Sequence, residues 1–211
     1  DTDLEKKREQ LQIIAQSTFE AASAVQNWPI SKKQRIVAIL VTGDAESTFS
    51  LRIHAGNCLI DAKHHECDPD KNGVPRAHSS WQLHENAVTK GTWDQMIGTG
   101  LEPTRIAARE AANVLASRWR MCEGSTDRML AMFNSYGGRG CNSEWRSGKR
   151  RLAAFNKLMA LPNPLPATTS VVLLGDSLAE GLSAPLGNQL DSVEAEHQTV
   201  FARGTNARYW K

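Results

Sequence analysis

Apolar positions recur at spacings of three and four from the start of the chain. Leu11, Ile14, Thr18, Phe19, Ala22 and Val25 share one face of a predicted helix that Pro29 ends. Ser31 can cap a second helix, with Ile36, Val37, Leu40 and Val41 as its inward stripe. From Asp44 to Asn86 the periodicity is lost and His, Asp, Gly, Pro and Cys dominate, predicting a long loop region of the kind that carries function on a rigid frame. Thr104 is the expected N-cap of a helix through Arg120, with Ile106, Ala112, Leu115 and Trp119 inward. Thr126 or Asp127 caps a short helix through Asn134, SYGGRGC reads as a glycine-rich turn, and a last helix from Lys149 to Leu161 turns Leu152, Phe155, Leu158 and Met159 inward. The SGKRR patch, Ser147 to Arg151, reads as a solvated helix start.

The pattern then changes. LPNPLPATTS, with three prolines in ten residues, offers no periodic face and reads as a linker. Beyond it an apolar run from Val171 to Leu174, a turn, a helix with Leu182, Leu186 and Leu190 inward, and a second apolar stretch at Val200 and Phe201 give a β-α-β beginning. The expected fold class is mainly α: a helical domain over 1–161, a linker over 162–170 and a short α/β segment over 171–211.

Charge and cysteine content narrow the partners. In 211 residues the net charge of +2 arises from intermixed signs, which argues against nucleic acid as an obligate partner. No apolar run approaches a membrane span, and the opening DTDLEKKREQ is charged where a secretory leader needs its apolar core. Cys58, Cys67, Cys122 and Cys141 lack the spacing of a zinc site, and two disulfides are expected. The spacing suggests Cys58 with Cys67 and Cys122 with Cys141, although four cysteines allow three connectivities. An oxidising, extracytoplasmic setting (periplasmic, secreted or virion-associated) follows. His64, His65 and Glu66 are adjacent and read as a polar loop; no metal or cofactor is expected.

The stretch DAESTFS places Glu46 just after an apolar helix and directly before Ser47. A carboxyl group at the end of a buried helix can be raised by desolvation into the range of a proton donor, as glycosidic cleavage needs. In chain order come DAESTFS, then AHSSWQLH with Gln82, then NSYGGRGC with Tyr136. This order resembles the soluble lytic transglycosylases and related goose-type lysozymes, over roughly Ile36 to Leu161. The resemblance implies a lysozyme-like helical domain with Glu46 as catalytic acid. It also implies that Ser47, Gln82, Tyr136 and Trp81 line a cleft for peptidoglycan glycan strands. The family's glycine stands here as Ser79, its Leu-Met as Ser80 and Trp81, and the Asn of its tyrosine motif as Gly137. The implied reaction uses one carboxyl to protonate the glycosidic oxygen between N-acetylmuramic acid and N-acetylglucosamine. The same group then takes the proton of the muramyl 6-hydroxyl, which closes a 1,6-anhydro ring. A hydrolytic lysozyme would enlist a second carboxylate, for which Asp44, Asp61, Glu66 and Asp68 are near in sequence. Trp81 and Trp93 read equally as sugar-stacking surfaces or as packing, and His78 and His84 as solvent-exposed.

Near the end, VVLLGDSLAEG resembles the first block of the SGNH (GDSL) hydrolases, with Ser177 as nucleophile and Gly204 at a second, oxyanion-binding block. The Asp and His that activate such a serine do not follow, so the segment reads either as the first part of an SGNH domain, which its remainder or a larger assembly would complete, or as a structural vestige of one. Beside a transglycosylase, an esterase would clear O-acetyl groups from the muramyl 6-hydroxyl. A different reading of the whole is a cell-wall-binding or structural component of an envelope or phage particle, with a cleft but no turnover.

Overall fold

The computed structural model of the chain describes residues 2–61, 63–133, 140–141 and 146–160. Among these the fold is mainly α. It comprises α1 (Thr2–Ala24), α2 (Lys32–Ser47), α3 (Leu51–His54), α4 (Leu101–Met121), α5 (Thr126–Met132) and α6 (Arg146–Met159), with one antiparallel hairpin of β1 (Ala77–His78) and β2 (Leu83–His84). The linker over 162–170 and the segment over 171–211, with Ser177 and Gly204, lie outside the described residues, as do Tyr136 and Gly137.

Side-chain caps mark the starts of two of the described helices, α2 and α5. Ser31 and Gln34 form a reciprocal capping box: Ser31 Oγ accepts from Gln34 N at 3.2 Å, and Gln34 Oε1 accepts from Ser31 N at 2.9 Å. Helix α5 is capped by Ser125, whose hydroxyl accepts from Arg128 N, rather than by Thr126 or Asp127. Helix α4 starts at Leu101 behind Gly100, three residues before the predicted cap, because the Thr104 hydroxyl is committed inside the first turn, where it donates to Gly100 O at 2.8 Å. Helix α6 begins at Arg146 and ends at Met159.

The core forms where these amphipathic faces meet. Leu11, Ile14 and Ala22 of α1 are buried, and α1 packs most extensively against α4, whose Ala107, Ala108, Ala111 and Ala112 are fully buried. Small side chains on α4 permit close approach of the two backbones. Ile39 of α2, Leu115 of α4 and Met129 and Leu130 of α5 complete the centre. Glu20 and Arg105 pair at the rim of α1 and α4, at 2.8 and 2.9 Å. The predicted loop from Asp44 is shorter than its lack of periodicity suggests. Helix α2 continues through Ser47, so Glu46 lies in its last turn, and α3, the hairpin and two 3₁₀ turns at Glu85–Ala87 and Asp94–Met96 structure the rest. Among the described residues no helix is long and apolar enough to cross a membrane.

Candidate functional site

Two strained turns flank the C-terminal end of α2. Just beyond Glu46 and Ser47, Thr48 and Phe49 both take left-handed backbone angles (φ 50° and 49°), costly for a β-branched and an aromatic residue. Ser47 Oγ stabilises this reversal by donating to Gly43 O at 3.2 Å and accepting from Phe49 N at 3.1 Å. Lys7 of α1 donates to the Phe49 carbonyl, placing a cation at the negative end of the helix. Burial pulls the Lys7 ammonium below its usual range, and Asp44 opposes this. Ser47 is therefore buried and committed to the chain reversal, which corrects the expectation that it faces substrate.

The second turn, residues 79–82, joins β1 to β2. Ser79 takes φ 68°, the left-handed conformation that favours glycine. Gln82 is also left-handed (φ 50°). Its half-buried amide closes the turn by donating to Ser79 O at 2.9 Å and lies 3.7 Å from Cys67 Sγ. Trp81 is fully buried, and its indole Nε1 donates to Ile39 O of α2 at 2.9 Å. No sugar can stack on it, so Trp81 is a core residue and not part of a cleft wall. Gly43 makes this approach possible: a Cβ there would lie 2.6 Å from Phe49 Cε1 and 3.0 Å from Trp81 Nε1. Phe49 meets Trp81 edge to face with ring centroids 6.5 Å apart. The two strained turns thus interlock over Gly43, one helical turn before Glu46.

A buried relay fixes the second turn from behind. Ser80 N–H donates to His54 Nδ1 at 3.3 Å, so the ring proton resides on Nε2, which donates to Thr104 Oγ1 at 2.8 Å; Thr104 in turn donates to Gly100 O. His54 and Ser80 are fully buried. Burial, assisted by the Lys7 charge, lowers the His54 pKa to about 4, and the imidazole is neutral at physiological pH.

Glu46 itself pairs with Arg151, which donates from Nη2 to Oε1; the two side chains are 8% and 2% exposed. Arg151 Nη1 donates to Leu130 O at 2.9 Å, and its guanidinium carbon lies 5.8 Å from the centroid of Phe133. The predicted solvated SGKRR start is corrected here: Lys149 and Arg150 are exposed, whereas Arg151 is in the core. The signal was present in the spacing, since Gly148, Arg151 and Phe155 recur at three and four along α6 and are all buried. An arginine on the buried face of a helix, continuing its apolar stripe, calls for an acceptor on a neighbouring element, and Glu46 supplies one.

Other candidate residues fall to either side. Both suggested disulfides are present, Cys58–Cys67 and Cys122–Cys141, with Cα atoms 6.1 and 5.4 Å apart. Glu66 is held by a two-pronged pair with Arg52 and by Leu59 N, and these contacts, the Arg52 hydrogen bond foremost, hold its carboxyl below the usual range. Asp61 pairs with His64, and Asp68 with Arg76. His78, expected at the surface, is buried and stacks on Trp93 with centroids 3.6 Å apart; His84 lies 3.4 Å from Asp68. Trp93 is half-buried, with its indole donating to Leu83 O at 3.1 Å. Among the described residues no group of three or more His, Cys, Asp or Glu is arranged to hold a metal ion. In comparisons with protein-family models, curated proteins and solved structures, the chain matches none.

Proposed function

We propose that the helical part of this chain cleaves the glycosidic bond between N-acetylmuramic acid and N-acetylglucosamine in peptidoglycan, with Glu46 as general acid and then general base. The observation that carries this reading is the setting of Glu46: a carboxyl, 8% exposed, on the last turn of an apolar helix, where two strained turns converge. Its proton passes to the bridging oxygen as the bond to the anomeric carbon breaks. The carboxylate then takes the proton of the muramyl 6-hydroxyl, whose oxygen bonds to that carbon. No water is consumed, and the product ends in a 1,6-anhydro sugar. Three of the four candidate second carboxylates, Asp61, Glu66 and Asp68, are engaged by His64, Arg52 and Arg76, which supports the lytic outcome over hydrolysis, because a carboxylate held in such a pair is a poor activator of water. Two disulfides suit an extracytoplasmic site of action, where this substrate lies.

Mass spectrometry of digested sacculi tests the reading. Anhydromuropeptides that disappear with Glu46→Gln support it, and reducing ends would identify a hydrolase instead. The closure of Glu46 behind Arg151 favours one second reading, a wall-binding protein without turnover. Sacculi left intact but bound by the chain would establish that alternative.

A further inference from the structure

The geometry points to Arg151 as a positioning residue for Glu46, setting the plane of the carboxyl that exchanges the proton; this rests on Glu46 being the acid and base. A guanidinium usually meets a carboxylate with both arms of its fork. Here the fork is divided: Nη1 donates to Leu130 O at 2.9 Å and Nη2 to Glu46 Oε1. The guanidinium also lies near the ring of Phe133, the residue that follows α5, so this part of the chain holds it at two points besides Glu46. Its Nε has no partner among the described residues.

Position follows from packing. Gly148 lets α6 approach α5 until a Cβ would lie 2.8 Å from the Ala131 Cα, and Arg151, one turn later, is carried to the depth of the α5 carbonyls. Glu46, at the end of α2, meets a donor whose place is set by other elements. A donor fixed at Oε1 fixes the rotation of the carboxyl group, and hence the direction in which its second oxygen faces. Misplacement of a reacting group by about 1 Å costs up to about 100-fold in rate.

Initial rates of the full chain on soluble, uncrosslinked peptidoglycan strands test this, expressed per folded molecule from circular dichroism. Arg151→Met is expected to lower kcat by about 10- to 100-fold with KM changed less than about twofold. Arg151→Lys should recover part of the rate, because one ammonium cannot reproduce the divided fork. A wild-type kcat in either folded variant, or a loss confined to KM, overturns the positioning role. Should Arg151→Met not fold, Arg151→Lys alone decides, with kcat about 3- to 10-fold below wild type expected. Wild-type protein without Glu46-dependent product overturns the glycosidic reading and this inference together. Activity abolished by Glu46→Gln but untouched in the Arg151 variants overturns the inference alone.

Discussion

Gly148 of α6 lies directly against Ala131 of α5: a Cβ at Gly148 would sit 2.6 Å from the Ala131 Cβ and 2.8 Å from its Cα. No side chain can be accommodated without moving one helix away from the other. Gly148→Ala is therefore expected to destabilise the protein by about 1–3 kcal/mol despite the better helix propensity of alanine. Adding Ala131→Gly should recover only part of this, since the backbone contact remains. Urea denaturation of the single and double variants is the measurement; a Gly148→Ala protein as stable as wild type would refute the close approach.

Trp81 separates a packing role from a sugar-stacking role. Its indole is fully buried and bonded to Ile39 O. Trp81→Ala is expected to cost about 3–5 kcal/mol in unfolding free energy. A stacking residue would instead reduce glycan binding while leaving the melting temperature unchanged.

His54 gives the stability a defined pH dependence. Its folded pKa, about 4, lies below the ordinary 6.5 because burial disfavours the cation. Below pH 6.5 the unfolded chain takes up a proton that the folded protein refuses until about pH 4, so this contribution is complete above 6.5 and is lost as pH falls between those values. The loss is on the order of 3 kcal/mol. His54→Gln should show a shallower decline in stability from pH 7 to pH 4 than wild type, measured by urea titrations at each pH; equal slopes would show that His54 does not carry it.

The disulfides differ in the chain they close. Cys58 and Cys67 are 9 residues apart, and Cys122 and Cys141 are 19 apart. By loop-closure entropy, removing the second by paired Cys→Ala changes should cost about 0.6 kcal/mol more than removing the first. Thermal unfolding of the two paired variants checks the order, with the Cys122/Cys141 pair expected to melt lower.

The legible part of this protein is its local part. Spacing at three and four placed the faces of α1, α2, α4 and α6, and Ser31 announced the start of α2, because helix faces and caps depend on residues within a turn or two of one another. Thr104 does not cap α4 because its hydroxyl is engaged by a tertiary bond to His54, 50 residues earlier, whereas the cap of α5 moves only to the adjacent Ser125.

By itself the sequence determined a mainly helical chain and a glutamate at the end of an apolar helix, and it suggested two cystine pairs without choosing among three connectivities. Tertiary structure decided which polar groups went inside. Local spacing puts Arg151 rather than Arg150 on the buried face of α6; what holds a charge there is a glutamate 105 positions away and a glycine that brings α6 onto α5. In the same way Trp81 became internal because α2 passes beside it at Gly43, and Ser47 because the reversal after α2 engages its hydroxyl with Gly43 O and Phe49 N. Burial of a charge or an indole is stabilised only by the partner it meets there, and that partner is brought by the fold.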